Sequence, residues 1–505
     1  MKIIVRISAV ILVCASLMYT GNAIAQVPAT GLGSFEKFTN VGGLKIGGKA
    51  KFAGKSQTYS LAGAGSNIWL TQDSFAFLSK KINGDFILQT QFRFLGTGHE
   101  LHRKAGLMVR RSTETNSPLV ACTVHGDGLT SLQYRSVRGG VIKEIKFGVR
   151  GADVVQLEKK GNRYTMSAAR FGGLYEVQNV DSIDLGSGFL AGLFICAHTN
   201  GFTEEAEFIN TKIFAPASDS LVPYQTYIGS ELETMDVATG KREVLARNPG
   251  SLQAPNWTPD GKSLIYNEAG KLIRFELHTK IATVINTGFA TKNNNDHVLT
   301  FDGKQIGISH HDSASKGQSV VYRVPVGGGI PIRVTQNSPS YFHGWSPDSR
   351  LMLFTGERNG DFDVYQISKD GGKETRLTNV KGLDDGPEYA PNGKTIYFCS
   401  TRTGKMQVWR MDPDGSHQLQ LTFDELNNWF PHVSPDGKWL VFLSFSKEIP
   451  ADKHPFYQRV YIRLMPVTGG EPKVIAYLYG GQGSINVPSW APDSRKIAFV
   501  SNGIF

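Results

Sequence analysis

The second half of the chain consists of short apolar runs, rich in β-branched and aromatic residues, joined by a polar phrase that occurs six times. Successive copies begin 42, 46, 44, 44 and 57 residues apart. The copies are Trp257-Thr-Pro-Asp-Gly261, Leu299-Thr-Phe-Asp-Gly303, Trp345-Ser-Pro-Asp-Ser349, Tyr389-Ala-Pro-Asn-Gly393, Val433-Ser-Pro-Asp-Gly437 and Trp490-Ala-Pro-Asp-Ser494. Proline followed by Asp or Asn and then Gly or Ser is typical of a tight turn between antiparallel strands. The spacing predicts a four-stranded repeat, as in a β-propeller.

A second hairpin follows the turn phrase in five of these repeats. These hairpins are Leu272–Val284, Val320–Val334, Val364–Leu377, Val408–Leu421 and Val460–Ile475. A sixth hairpin, about Leu232 to Leu245, precedes the first turn phrase, whereas the sixth turn phrase has no hairpin after it. We therefore predict six blades, the last of which is closed by strands from both ends of the domain, because such closure removes exposed sheet edges.

Residues 33–214 alternate apolar and polar positions between Gly-rich turns and show no helical period. This pattern predicts a β-sandwich, so the whole protein is expected to be all-β. The predicted strands are Ser34–Thr39, Asp85–Phe94, Gly106–Arg111, Leu119–His125, Thr130–Val137, Tyr164–Arg170, Phe189–Ala197 and Ala206–Ile213. A Pro- and Ser-containing linker at 215–223 then leads to the propeller at 224–505.

Residues 1–25 have the pattern of a secretory signal peptide: Lys2 and Arg6, an apolar stretch, and small residues ending at Ala25. We expect export to the periplasm or beyond, without a membrane span. The formal net charge is +10, but no run of Lys and Arg indicates a nucleic-acid groove. Cys122 and Cys196 lie on predicted strands of the first domain, and either a disulfide or two buried thiols would suit an exported protein.

Two resemblances follow from these motifs. The first domain, with Ala105-Gly-Leu-Met-Val-Arg110 and Phe189-Leu-Ala-Gly-Leu-Phe-Ile-Cys196, resembles the concanavalin-like and laminin-G-like sandwiches (jelly rolls) often attached to carbohydrate-active enzymes. The second domain, with its Trp-Ser-Pro-Asp-Gly repeats, resembles the TolB-like six-bladed propellers, which implies a protein-binding platform. A weaker similarity to propellers of the oligogalacturonate-lyase type implies a His-rich metal site.

Polar residues are concentrated where the inner strands begin and where the second strands end. Because neighbouring antiparallel strands alternate in direction, these positions are predicted to lie on the rim opposite the turn phrases. Half of the twelve histidines map to this rim: His297, His310, His311, His343, His432 and His454. The alternative is that these groups only hydrogen-bond water in a wet channel.

A metal site is one interpretation of this rim. His297 and His343 replace the proline found at the same position of four other repeats. With His310 they could supply three nitrogen ligands for a divalent transition metal such as Mn, Zn or Ni. His311, Glu388 and His432 are the candidate catalytic acid and base groups.

The predicted substrate-binding groups are mostly polar. Arg358 and Arg402 occupy equivalent loops of adjacent blades and could grip an acidic sugar bidentately, although local ion pairs are the alternative. The other candidates are Asp384, Asp385, Asn428, Trp429, Gln482 and Asn486.

Two functions remain open from the sequence. The first is an exported glycan-directed protein that binds, and in an enzymatic version cleaves, an oligo- or polysaccharide as a metal-assisted lyase or hydrolase. The second is a non-catalytic TolB-like protein of the cell envelope that binds a protein or polymer partner.

Overall fold

The computed structural model describes residues 31–503 except residues 55 and 359. The predicted signal peptide at 1–25 lies outside these residues. Apart from a 3₁₀ turn at Ser313–Ser315, the regular elements in this part of the chain are strands. None of the described residues forms a helix that is long and apolar enough to cross a membrane.

Fifteen strands form the first domain. They are β1 (Lys37–Val41), β2 (Lys49–Ala53), β3 (Thr58–Gly65), β4 (Asn67–Ile68), β5 (Asp73–Ile82), β6 (Phe86–Leu95), β7 (Lys104–Arg110), β8 (Leu119–His125), β9 (Thr130–Arg135), β10 (Lys143–Lys146), β11 (Val154–Lys160), β12 (Arg163–Ala169), β13 (Glu176–Val180), β14 (Phe189–Cys196) and β15 (Thr199–Phe214). One antiparallel sheet has the order β1-β5-β14-β7-β8-β9-β10, with β4 beside β5, and the other has the order β13-β12-β11-β6-β15-β3-β2. Several strands, β5 and β11 among them, were not predicted.

Both sheets of the first domain contribute to one hydrophobic core. Leu78 and Leu107 come from the first sheet, and Leu88 and Leu157 come from the second. Two sheets with a shared core are what the predicted sandwich requires, whereas its concanavalin-like jelly-roll connectivity stays a prediction.

The second domain contains twenty-three strands. They are β16 (Ser230–Asp236), β17 (Arg242–Asn248), β18 (Leu252–Trp257), β19 (Ser263–Glu268), β20 (Lys271–Glu276), β21 (Ala282–Ile285), β22 (Asn293–Leu299), β23 (Gln305–Asp312), β24 (Gln318–Pro325), β25 (Ile332–Arg333), β26 (Ser340–Trp345), β27 (Leu351–Arg358), β28 (Asp361–Ser368), β29 (Thr375–Arg376), β30 (Asp384–Tyr389), β31 (Ile396–Ser400), β32 (Gln407–Met411), β33 (Leu419–Gln420), β34 (Asn427–Val433), β35 (Trp439–Phe445), β36 (Gln458–Pro466), β37 (Lys473–Gly480) and β38 (Lys496–Asn502). Strands β18 to β37 form five consecutive four-stranded sheets, which are blades one to five.

Blade six joins the two ends of the domain, as the sequence predicted. Strand β38 pairs antiparallel with β16, so that Met235 lies opposite Ile497. The bridge between Trp490 and Ile497 adds the innermost segment of this blade. The prediction of a six-bladed propeller is therefore confirmed.

The recurring turn phrase has a physical basis in its side-chain hydrogen bonds. In blade three the hydroxyl of Ser346 donates to Asp348 at 2.6 Å and accepts from the backbone N–H of Leu351 at 2.9 Å. Equivalent hydroxyl-to-carboxylate bonds occur at Thr258, Thr300 and Ser434. In these four copies a side chain of the phrase thus closes the turn between the first two strands of a blade. The other two copies have Ala390 and Ala491 at this position. Their turns are closed by backbone bonds, from Gly393 N–H to the Ala390 carbonyl and from Ser494 N–H to the Ala491 carbonyl, both at 2.9 Å.

The two domains are packed against each other through blades five and six, and Lys212 of β15 pairs with Glu233 of β16 at 3.1 Å. The hydroxyl of Tyr477 donates to the carbonyl of Gly173 at 2.7 Å, and the Tyr477 carbonyl accepts from Gln89 at 3.1 Å. The Arg459 guanidinium pairs with Glu158 at 2.5 Å.

The three described cysteines, Cys122, Cys196 and Cys399, are buried free thiols. Cys122 lies in the shared core of the first domain, whereas Cys196 belongs to a separate apolar cluster. The two thiols that could have formed a disulfide are therefore unpaired in this structure.

Candidate functional site

The first strands of blades one to five, β18, β22, β26, β30 and β34, contact one another around the propeller axis. Side chains at or beside the start of three of them, together with two residues from blades five and six, form a group that we call the axial cluster. Its members are Asn295, Asp296, His343, Asp385, His454 and Gln482.

The centre of the axial cluster is an ion pair between blades three and four. His343 Nε2 lies 3.0 Å from Asp385 Oδ1, and both side chains are buried. Asp385 also accepts hydrogen bonds from the Thr355 hydroxyl at 2.8 Å and the Gly386 N–H at 2.7 Å. Burial opposes charge on each partner, but the hydrogen bond and the opposite charge outweigh it. The pKa of His343 is therefore raised and that of Asp385 is lowered.

Asp296 lies beside this pair, but its neighbours offset less of the cost of burying its charge. Its carboxylate accepts from the amide of Asn294 at 2.8 Å. Burial raises the pKa of Asp296 to about 6, with a further upward contribution from Asp385, while His343 and the Asn294 hydrogen bond oppose the shift. Asp296 is consequently the carboxylate of the axial cluster that titrates nearest to neutral pH.

A chain of hydrogen bonds links the remaining members. His454 Nδ1 lies 2.6 Å from Gln482 Oε1, and the Gln482 amide donates to Asn295 Oδ1 at 3.3 Å. Asn486 donates to the same Gln482 oxygen at 2.9 Å. The Nδ2 atom of Asn295 is buried and has no hydrogen-bond partner. Gln482 and Asn486, both predicted from the sequence, are thus brought together here.

The segment after the linker reaches the same place. The ring of Tyr224 lies 5.0 Å from that of Phe456, two residues after His454. Burial raises the pKa of Tyr341, and the negative charge of nearby Asp296 adds to this rise. Partial burial also raises the pKa of Tyr224, which is 65% exposed, and Asp296 again contributes to the rise. Both phenols therefore lie within electrostatic range of Asp296.

The three predicted metal ligands are not brought together. His297 is fully buried and its Nε2 lies 3.2 Å from the carbonyl of Ile265 in the preceding blade, while His310 contacts the rings of Phe289 and Tyr322. Only His343 belongs to the axial cluster. Within residues 31–503, leaving out 55 and 359, no three His, Cys, Asp or Glu side chains are grouped so as to hold a metal ion. The described residues therefore do not fit the metal site of the sequence interpretation.

The candidate acid and base groups have structural partners. His432 Nδ1 lies 2.6 Å from Glu388, and His432 Nε2 lies 2.7 Å from the carbonyl of Ile485. The second Glu388 oxygen accepts from the Val433 N–H at 2.9 Å. These bonds tie the inner strands of blades four, five and six together. His311 is exposed at the end of β23, where its Nδ1 lies 3.1 Å from the Gly317 carbonyl, away from the Glu388–His432 pair.

Arg358 and Arg402, the predicted anion clamp, likewise form local ion pairs. Arg358 contacts both carboxylate oxygens of Glu374, at 3.0 and 3.1 Å. Arg402 pairs with the buried Asp384 at 2.8 Å and lies over the ring of Trp409. Each guanidinium group thus has its own carboxylate partner, Glu374 for Arg358 and the predicted binding residue Asp384 for Arg402.

The last two predicted binding residues are interior. Asn428 hydrogen-bonds to Ser444 and Gln407 inside blade five and its neighbour. Trp429 is fully buried and packs edge-on against His454 at 4.4 Å, so it supports the axial cluster from behind.

Asp296, Asn295 and Tyr224 were not among the predicted site residues. Asp296 and Asn295 stand in the polar run Asn293–His297, whose position at the opening of an inner strand predicts that it lies on the rim opposite the turn phrases. Tyr224 had no signal, because its position depends on how the linker folds back over the rim.

Comparisons with known proteins agree with this architecture. The PD40 family model, described as the TolB beta propeller domain, matches residues 341–454. An uncharacterized protein of Agrobacterium fabrum is 42% identical over 272 residues, which cover 54% of this chain and 92% of that protein. The solved structure of a TolB-like protein from Agrobacterium tumefaciens has 42% sequence identity and a TM-score of 0.52, and the match covers 54% of this chain and 98% of that chain.

A more distant relative has a functional name. The Tol-Pal system protein TolB of Bordetella pertussis is 30% identical over 147 residues, which cover 28% of this chain and 33% of that protein. The shared part is thus about a third of that TolB.

Proposed function

Because this chain belongs to the TolB-like family of six-bladed β-propeller proteins, we propose that it is a non-catalytic binding protein of the cell envelope. In this proposal the axial mouth of the propeller holds a segment of a partner polypeptide. The first domain, fixed to blade five, provides a second surface. The TolB of Bordetella pertussis is by name a protein of the Tol-Pal system, and a scaffold that binds another protein is the role that we extend to this chain.

The observation that carries the proposal is the composition of the axial cluster. It offers a carboxylate, a neutral imidazole and amide groups at one mouth, and the Asn295 Nδ2 donor is buried without a partner. Unpaired buried donors are uncommon in folded proteins, and they are often satisfied when a ligand binds. A polypeptide backbone, which presents a carbonyl and an N–H at each residue, matches such a surface.

We propose a non-catalytic function because the candidate catalytic groups already have structural partners. Glu388 and His432 are bonded to each other and to backbone groups of neighbouring blades. A general base must reach the proton that it removes, and these groups are already engaged in holding inner strands together.

Export is part of the same proposal. The leader pattern at residues 1–25, with its two basic residues and apolar stretch, directs the chain to the periplasm, where a TolB-like scaffold would meet its partners.

A saccharide-directed function is the less favoured alternative. Its acidic-sugar version needs free guanidinium groups, but Arg358 and Arg402 are paired with Glu374 and Asp384. Binding of an oligosaccharide is therefore kept as an outcome of the test rather than as a second proposal.

The test is selection of peptides by the full-length protein from a displayed random library, with an oligosaccharide array probed in parallel. We expect peptides whose affinity falls at least tenfold on the Asn295→Ala plus Gln482→Ala variant. The matched control is Lys394→Ala in an exposed turn of the opposite rim, which should bind as the wild type does. Recovery of no peptide, equal binding to the axial variant, or binding only to the array would overturn the proposal.

A further inference from the structure

We propose that the axial cluster recognises a cationic side chain, lysine or arginine, on the partner polypeptide, and that Asp296 is the carboxylate that receives it. This inference rests on the proposed function and specifies the chemistry of its ligand.

The described carboxylates around the axis have basic partners, with the exception of Asp296. Asp385 is paired with His343, Glu388 with His432 and Asp384 with Arg402. Asp296 forms no ion pair with a basic side chain among the described residues, and its carboxylate accepts a hydrogen bond from the neutral amide of Asn294. One negative charge at the mouth is therefore left without its own counter-ion.

The groups around Asp296 do not supply the missing positive charge. The titratable groups that face Asp296 are His343 and Asp385, which balance each other, and the phenols of Tyr224 and Tyr341. His454, behind them, is kept neutral because burial lowers its pKa. A buried carboxylate without a counter-ion is costly, and a ligand cation that enters the mouth relieves that cost.

Aromatic side chains near Asp296 also favour a cation. The phenols of Tyr224 and Tyr341 lie within electrostatic range of Asp296, and the faces of aromatic rings attract ammonium and guanidinium groups within about 6 Å. An anionic side chain would instead meet Asp296 and Asp385 together. The mouth thus discriminates by charge and excludes acidic ligands.

An independent observation also indicates a ligand at this place. The Asn295 side chain is 3% exposed and is held towards the axial cluster by its Oδ1 contact with Gln482, yet its Nδ2 has no partner. This donor precedes Asp296 in the sequence and would satisfy a backbone carbonyl next to the bound cationic residue. One peptide residue would therefore supply both the carbonyl and the cation.

The experiment uses the peptides recovered by the selection above. Each lysine is replaced by norleucine, which keeps the four-carbon chain without the ammonium group, and each arginine by citrulline, which keeps the length and shape of the side chain without its charge. At one position of the peptide, we expect removal of the charge to weaken binding to the wild-type protein at least tenfold. The same replacement should weaken binding to the Asp296→Asn variant less than threefold. Asp296→Asn keeps the shape of the side chain, and unchanged circular dichroism would establish that it folds.

The outcomes separate the two proposals. Peptides that need Asn295 and Gln482 but tolerate every charge-removing replacement would overturn the cationic ligand and leave the scaffold function standing. A charge effect of equal size in wild type and Asp296→Asn would show that another residue receives the cation, and would also overturn this inference. Failure to recover any peptide held at the axis would overturn both.

Discussion

His343 Nε2 lies 3.0 Å from Asp385 Oδ1 across the boundary between blades three and four. This buried contact joins two inner strands and fixes the wall of the axial mouth next to Asp296. The same arrangement raises the pKa of the imidazole and lowers that of the carboxyl, so the pair should be visible in the pH dependence of stability.

His343 should stabilise the fold most under mildly acidic conditions. Its pKa is raised above 6.5, so its contribution is complete below pH 6.5 and is lost as the pH rises through the raised value. Asp385 has a pKa below 3.8, so its contribution is present above pH 3.8 and is lost as the pH falls through the lowered value. The difference in Tm between wild type and His343→Gln should therefore be largest between these limits and should shrink above pH 6.5. A difference that grows with rising pH would contradict the ion pair.

His297 should show the opposite behaviour, although it occupies the same repeat position. Burial lowers its pKa from 6.5 to about 4, so the folded protein loses stability relative to the unfolded chain as the pH falls from 6.5 towards 4. We expect His297→Gln to reduce the acid sensitivity of Tm in this window. The Tm values of the two histidine variants and the wild type are measured over one pH series. If Tm depends on pH in the same way for both variants, the opposite pKa shifts assigned to His343 and His297 are wrong.

Asp296 should reduce stability at neutral pH while it serves binding. Its pKa is raised from 3.8 to about 6, so folding becomes less favourable as the pH rises between these values. At pH 7 we expect Asp296→Asn to raise Tm by about 1–4 °C. A substitution that both stabilises the protein and weakens peptide binding is the signature of a functional group held in a costly environment. A fall in Tm would indicate a structural role instead.

Arg402 should act as a structural residue and not as a ligand clamp. Replacing it with Met leaves Asp384 buried without its counter-ion, which we expect to cost about 3–5 kcal/mol of unfolding free energy. Chemical denaturation measures this loss. The double variant Arg402→Met plus Asp384→Leu should recover much of it, because no isolated charge remains. If the double variant is no more stable than the single one, this account of the pair is wrong.

Tyr477 should hold the two domains together. Its ring packs against the rings of Tyr175 and Tyr461, and its hydroxyl donates to the Gly173 carbonyl. We expect Tyr477→Ala to speed proteolytic cleavage in the segment at 215–229 several-fold, with little change in the cleavage of either domain. Phe423→Ala, at a side chain that is 77% exposed, is the control and should cleave at the wild-type rate.

The sequence predicted the propeller because its turn chemistry is local. Every turn phrase forms a backbone hydrogen bond within itself, and four of them add a side-chain bond such as that of Ser346 to Asp348. Six copies at a regular spacing are therefore sufficient to define six blades. The closure of blade six also followed from counting hairpins, and the pairing of Met235 with Ile497 confirms it.

The site was less predictable because it depends on strand irregularities. His297 pairs with Ile308 within the ladder of blade two, whereas a register shift between Phe342 and Gly344 leaves His343 outside the ladder of blade three. A bulge redirects the side chain that it contains, so two histidines at one repeat position make different contacts. Arg358 pairs with Glu374, just before the outer strand β29, and Arg402 pairs with Asp384, at the start of the inner strand β30. Spacing alone could not identify either partner.

The most direct test of the axial binding site is photocrosslinking of a selected peptide to the full-length protein. A photoreactive phenylalanine derivative is placed at Tyr341, beside Asp296, or at Trp439, which is 39% exposed just after the turn phrase of blade five on the opposite rim. We predict a crosslinked product from position 341 that disappears with excess unlabelled peptide, and none from position 439. Crosslinking from position 439 alone, or from neither position despite measurable binding, would contradict a binding site at the axis.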